Sequence, residues 1–423
     1  MQAFELTNPL SHRPTIRLAT LAFCLWAGSV GSIELESLSR IGATAGDEFG
    51  YASLAIDGQL LVSAPGEAND AGAVYLFDCS SAPCLQQLRL AAPVAVANAE
   101  FGAALARSGD TLAIGAPGQG PGVVYIYTSP VAGTWNLQAT LSASGGQVGD
   151  RFGTAVALAG NTLLVGADGD DQGRGTAYAF NRSGTVWALP TQLLAADGAA
   201  GDGFGAAVAL DAGHALIGAP LEGESGTGAV FARGAAYLFE RISPTTWAQP
   251  VKLLANLPAA GDAFGFAVAL DSGLALVGAP FANLQSGRIS IFQDIGVGWS
   301  ATAELGSAFT QAGARLGWSL SVASDELLGG APFAAVTPGA NCGTVARFQR
   351  NPPLWTELDP LLIGRPQPGD LAGWSVLAGA PRYAVGRPGF LSTGQQHQGV
   401  LAWFDFAEQV FADDYENADP LCR

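Results

Sequence analysis

Residues 201–223 read GDGFGAAVALDAGHALIGAPLEG, and the punctuation of this stretch decides the fold. The pair Phe204-Gly205 opens a short apolar run. A turn at Asp211–Gly213 closes it, and a second run from His214 ends on Gly218-Ala219-Pro220. Short apolar runs bounded by Gly, Asp and Pro read as strands joined by turns. Pro220 stops the second run because it has no N–H to give to a ladder.

Moving outward, the same two motifs recur along the chain. Phe-Gly stands at Phe49-Gly50, Phe101-Gly102, Phe152-Gly153, Phe204-Gly205 and Phe264-Gly265, with degenerate copies at Leu316-Gly317 and Ala372-Gly373. The intervals are 52, 51, 52, 60, 52 and 56 residues. A second motif follows at a fixed offset of 14, as Ser63-Ala64-Pro65, Gly115-Ala116-Pro117, Gly166-Ala167-Asp168, Gly218-Ala219-Pro220, Gly278-Ala279-Pro280, Gly330-Ala331-Pro332 and Gly386-Arg387-Pro388. Seven copies in register mark a repeat architecture.

A unit of this length holds four short strands. In the fourth unit they are expected at Phe204–Leu210, His214–Ala219, Ala235–Glu240 and Trp247–Leu254. Trp135, Trp187, Trp299 and Trp355 mark the fourth strand elsewhere. The phase of the repeat indicates how the array ends. Before the first Phe-Gly there is one strand-like piece, residues 33–41, and after the last Gly-Arg-Pro only a third-strand equivalent, residues 399–406. The first piece is therefore expected to complete the last unit, which leaves no blade edge dangling. The expected fold is all-β: a seven-bladed propeller of four-stranded blades over residues 33–409.

These units resemble FG-GAP repeats, the blades of the integrin α-subunit propeller and of related bacterial exported proteins. The resemblance covers nearly all of residues 33–406. The phenylalanines are expected to pack between blades, the glycines to allow close backbone approach, and Pro65, Pro117, Pro220, Pro280 and Pro332 to end second strands. All are read as structural. Many integrin-type blades also carry a calcium loop between the two motifs. Calcium needs six to eight oxygen ligands, and here that stretch is cut to tight turns such as Ile56-Asp57-Gly58 and Ser108-Gly109-Asp110. The family's calcium sites are not carried over, and neither metal nor other cofactor is expected.

Composition narrows the function. The formal net charge is −17, Lys252 is the single lysine, and no basic cluster occurs. That argues against nucleic acid and against an anionic membrane surface. Arg13 and Arg17 precede an apolar run, Leu18–Val30, that closes on small residues, the order of an export signal over residues 1–32. No later segment reads as membrane-spanning. Four cysteines follow, and exported chains permit disulfides. Cys79 and Cys84 lie at a hairpin end where they can pair locally, and Cys342 with Cys422 is the other candidate pair. Residues 410–423 lie outside the repeat. Their Phe411-Ala412-Asp413-Asp414-Tyr415-Glu416 is similar to a sorting tail of some exported Gram-negative proteins, departing from it at Asp414 and Tyr415.

Candidate sites are few. By the resemblance, the loop after Gly-Ala-Pro lies on the upper face, which binds ligand in integrins. Its longest copy, Leu221–Gly234, carries Glu222, Glu224, Phe231 and Arg233 and is read as a ligand loop, against the alternative of a tolerated insertion. Asp168, Asp170 and Asp171 form an acidic turn. The recurrent acids Asp47, Asp150, Asp202 and Asp262 before Phe-Gly are expected to accept backbone hydrogen bonds. His214 and His397 stand apart, and no nucleophile elbow, phosphate loop or zinc helix motif is present. The expectation is a non-enzymatic, exported module that binds a protein or glycan. The alternatives are a structural envelope component, or a polysaccharide-acting enzyme using paired carboxylates.

Overall fold

The computed structural model describes residues 36–39, 42–44, 46–56, 58–81, 83–131, 134–223, 232–296, 298–335, 340–361, 368–379, 382–389 and 399–405. The leader, the C-terminal tail, Cys24, Asp57, Glu224, Phe231, His397 and Cys422 lie outside them.

Seven antiparallel sheets follow one another along the chain. The first blade takes Ser53–Ile56, Gln59–Ala64, Ala73–Asp78 and Leu85–Leu90 in order from its inner to its outer edge. The next five blades repeat that order. In the last blade, Val376–Gly379, Arg382–Arg387 and Val400–Asp405 supply three strands, and the outermost is Glu36–Leu38. It runs antiparallel to Val400–Asp405, with Glu36 opposite Trp403 and Leu38 opposite Leu401.

The inner strands stand side by side around a central axis. Ala104–Ser108 neighbours Ala155–Ala159, and so on around to Val376–Gly379, which neighbours Ser53–Ile56. The chain is thus a closed seven-bladed β-propeller.

The two motifs build each junction between blades. The five motif phenylalanines are fully buried, and each packs on aromatic residues of its own blade's third strand. Phe152 meets Tyr178 and Phe180; Phe204 meets Tyr237 and Phe239. The same Phe152 lies in one cluster with Val124 and Ile126 of the preceding blade. Burying such a side chain contributes roughly 1.5–3 kcal/mol.

The glycines hold the backbones close. Within a blade, the Gly205 N–H donates to the Gly218 carbonyl at 2.9 Å. Across the junction, a Cβ on Gly218 would lie 2.0 Å from the Gly265 carbonyl oxygen. The same approach recurs from Gly166 to Gly205 at 1.9 Å, from Gly278 to Gly317 at 2.2 Å and, closing the ring, from Gly386 to Gly50 at 2.0 Å. Nothing but hydrogen fits there. In the degenerate last unit, Arg387 replaces the usual alanine and is fully buried in an ion pair with Asp370.

Three strands of the fourth unit differ from the sequence reading, the third running on to Ser243. The fourth unit's first strand is Ala207–Leu210, because Phe204-Gly205 forms the turn that precedes it. Its outer strand is split into Thr246–Trp247 and Val251–Leu253, and the third unit's into Val186–Trp187 and Thr191–Leu193. Pro190 and Pro250 sit in the gaps, where a residue without an N–H interrupts the ladder. The tryptophans remain anchored: Arg182 stacks on Trp187 at 5.4 Å and Arg241 on Trp247 at 5.7 Å. Cys79 and Cys84 form a disulfide between the third and fourth strands of the first blade. Cys342 takes part in a second one.

Candidate functional site

One end of the ring, the upper face, carries the Phe-Gly turns, the loops after Gly-Ala-Pro and the connections between blades. The ligand loop inferred from sequence lies here. Among its residues, Glu222 is tied into a polar cluster and Arg233 is exposed. The Lys252 ammonium donates to Glu222 at 2.7 Å and to Asp197 at 2.6 Å, and the Tyr237 hydroxyl donates to Asp197 at 2.9 Å. Burial works to raise the Asp197 carboxyl's pKa, but hydrogen bonds from Lys252 and Tyr237 outweigh it and hold the carboxyl below the ordinary aspartate range. Lys252 itself is held above the ordinary lysine value: burial opposes this, and the two carboxylates prevail. The Arg233 carbonyl accepts the Phe264 N–H at 2.9 Å, so the backbone of the loop's last residues belongs to the blade junction. The Gly234 N–H donates to the Glu222 carbonyl at 3.0 Å, so the two described ends of the loop meet.

The acidic turn is dispersed. Asp168 pairs with Arg151 at 3.1 Å and Asp171 with Arg174 at 2.9 Å, while Asp170 accepts the Tyr178 hydroxyl at 2.8 Å. Burial pushes the Asp168 carboxyl upward, and Arg151 opposes it. The buried acids before Phe-Gly cap turns. Asp150, Asp202 and Asp262 accept the N–H of the residue three positions earlier at 2.6, 2.7 and 2.9 Å, and Asp47 does the same from Thr44. His214, at the opposite face, contacts Asp211 at 3.4 Å and the Trp299 ring at 5.3 Å.

A different set of residues converges at the mouth of the central funnel. In every blade the residue before Phe (or its equivalent) has a positive φ, from 52° at Ala263 to 63° at Arg315 among the non-glycine copies. The residue after the Gly donates its N–H back to that residue's carbonyl, as Trp374 does to Leu371 at 3.1 Å and Phe266 to Ala263 at 3.2 Å. This tight turn places one side chain per blade at the top of the inner strand. Around the ring those side chains are Tyr51, Ala103, Thr154, Ala206, Phe266, Trp318 and Trp374.

They are sorted by size. Phe266, Trp318, Trp374 and Tyr51 lie on four consecutive blades, the last step crossing the closure of the ring. Successive ring centroids are 4.6, 4.9 and 5.7 Å apart. The remaining three positions are small. The mouth therefore has one aromatic half and one open half. Behind the arc, Phe281 and Phe333, each directly after a Gly-Ala-Pro proline, flank Arg315. Its guanidinium carbon is 4.1 Å from the Phe333 centroid, 4.8 Å from Phe281 and 5.9 Å from Trp318. Cation–π contacts of this kind contribute about 0.5–2 kcal/mol. All six rings are half-buried, leaving part of each exposed. The sequence signal was present, as Phe-Gly-Phe266, Leu-Gly-Trp318, Ala-Gly-Trp374 and Phe-Gly-Tyr51, but each residue lies beside a structural motif and far from the next in the chain.

The FG-GAP repeat family matches four times, over residues 85–127, 135–180, 187–239 and 247–292. The chain carries FG-GAP repeats. Each match runs from the outer strand of one blade through the third strand of the next, so the family's frame straddles the blade junctions. The FG-GAP propeller described here is consistent with an integrin α-like ring. No curated protein sequence matches it. Among its described residues no helix is long and apolar enough to cross a membrane.

Proposed function

We propose that this FG-GAP propeller is an exported, non-enzymatic binding module that holds a protein or glycan at the mouth of its central funnel. One observation carries the reading: four aromatic rings from consecutive blades line one half of that mouth, partly open, while the other half carries Ala103, Thr154 and Ala206. Aromatic side chains in a concave, partly dry setting supply large contact area at low entropic cost. A propeller presents such a surface rigidly, because every position is fixed by the same turn in each blade.

The test is a pull-down from envelope and culture-supernatant fractions. Three proteins are compared: the intact chain, Trp318→Ala/Trp374→Ala, and a variant with Leu221–Gly234 shortened to a tight turn. Circular dichroism first establishes that all three are folded. The expected outcome is a partner retained by the intact chain and by the loop variant but lost from the tryptophan variant. Loss on loop shortening alone would move the seat to the Leu221–Gly234 loop, and retention by all three would remove the binding surface from the upper face.

A further inference from the structure

Arg315 differs from the other arginines that the fold draws inward: Arg182 and Arg241, also half-buried and stacked on tryptophans, donate to Asn161 and Asn181. Arg288, Arg347 and Arg387 each meet a carboxylate, Glu304, Glu326 and Asp370 respectively. Even the exposed Arg151 and Arg174 are paired. Arg315 is half-buried, its Nε is shut from solvent without a hydrogen-bond partner, and its surroundings are the rings of Phe281, Phe333 and Trp318. Burial pulls its pKa below the ordinary arginine value. The equivalent positions on the blades to either side are Ala263 and Leu371, so no acid stands next to it in that ring of turns; Glu48 and Glu100 occupy it only on the first and second blades. In a chain of net charge −17 this is a cation for which no carboxylate partner is found among the described residues.

Trp318, the second ring of the arc, is the one that Arg315 approaches. We propose that the arc and Arg315 together form a subsite for an acidic saccharide, with sugar rings stacked along Trp318, Trp374 and Tyr51 and a sugar carboxylate on the Arg315 guanidinium. This inference rests on the binding reading above and names its ligand class. The geometry favours a sugar over a peptide. One face of a pyranose presents C–H groups that meet the negative face of an aromatic ring. The Trp318, Trp374 and Tyr51 rings stand 4.9 and 5.7 Å apart and are tilted by 50° and 51° to one another, so the apolar surface curves from blade to blade and suits a ligand that turns along it. A guanidinium presents a planar fork that fits a carboxylate in two parallel hydrogen bonds.

Isothermal titration calorimetry on the full mature chain tests this. The probes are tetramers of galacturonate, glucuronate and mannuronate, the three matching neutral tetramers, and tetraglutamate. The variants are Arg315→Met, Trp318→Ala/Trp374→Ala, and Arg174→Met, a control that removes the same charge from another blade. The expected result is saturable binding of at least one uronate tetramer, with its neutral counterpart weaker by about tenfold or more. Arg315→Met should lose about tenfold, Arg174→Met should change little, and the tryptophan variant should lose binding. Equal binding of acidic and neutral tetramers would overturn the carboxylate subsite while leaving the arc as a binding surface. Binding of tetraglutamate without any uronate would overturn the saccharide. Silence with every probe would overturn the proposal, and the envelope pull-down would then decide independently whether the mouth binds anything. If Arg315→Met does not fold, the acidic-against-neutral comparison on the unaltered protein still decides.

Discussion

At the scale of single residues, the blade junction depends on missing atoms as much as on packed ones. Gly218 has no room for a methyl group, because the facing Gly265 carbonyl would be 2.0 Å away and both sides are backbone. Gly218→Ala should destabilise the propeller by about 3 kcal/mol, the upper end of overpacking costs. Gly213 lies in the same blade with Asp211 Oδ1 3.8 Å from its would-be Cβ, and its φ is not left-handed. Gly213→Ala should change stability by less than about 0.5 kcal/mol. Urea midpoints of the two variants, at constant slope, give the comparison directly. Equal losses would show that the close approach is not what constrains Gly218.

The Lys252 cluster yields a pH dependence whose sign can be worked out. Asp197 has a folded pKa below its unfolded one, so its contribution is present above the unfolded value and lost as pH falls through the folded value. Lys252 has a folded pKa above its unfolded one, so its contribution is complete below the ordinary lysine range and is lost at higher pH. At neutral pH both are present. Lys252→Met should therefore cost about 1 kcal/mol near neutrality, a value discounted for the exposure of Asp197. The difference from the unaltered protein should shrink as the medium becomes acidic enough to protonate Asp197. A difference that grew on acidification would contradict the assignment. The sequence did not reveal this cluster: it singled out Glu222 as a loop acid, while the partners that hold it, Lys252 and Asp197, come from strand and turn positions outside that loop.

At the scale of elements, the repeat made most of the fold legible. A constant offset of 14 between two motifs locates the first and second strands of every blade, and the turn residues locate the rest. The outer strands were harder. In the fourth unit the apolar pattern reads as one strand, Trp247–Leu254, yet Pro250, without an N–H, divides it. The outermost strand of the last blade is Glu36–Leu38, three residues that pair with Val400–Asp405. Deleting residues 33–39 should leave that strand's backbone groups unpaired, a ready template for association. The shortened chain should lose stability and form concentration-dependent oligomers in size-exclusion chromatography with light scattering. A stable, monomeric deletion would show that the short strand contributes nothing to closure.

At the scale of the whole molecule, the candidate site was not legible in the sequence. Its four rings come from blades five, six, seven and one, so they are neighbours only on a circle. Reading along the chain separates Tyr51 from Trp374 by nearly the full array, and Ala103, Thr154 and Ala206 interrupt the pattern. The loop that length alone made conspicuous, Leu221–Gly234, contributes an ion-paired acid and an exposed arginine among its described residues. Loop length is written locally, whereas the aromatic arc is written in one position per repeat.

The pairing of Glu36–Leu38 with Val400–Asp405 also has a consequence in time. During synthesis, the first of the described strands must wait for the last to emerge. Until then the nascent ring is an open arc with an unsatisfied edge at each end, and the two edges are complementary. Two such molecules meeting before closure could exchange their leading strands, each completing the other's last blade. Whether the finished protein is a monomer thus depends on a race between intramolecular closure and encounter with a second unfinished copy. A low concentration of unfinished chains tilts that race towards the single ring.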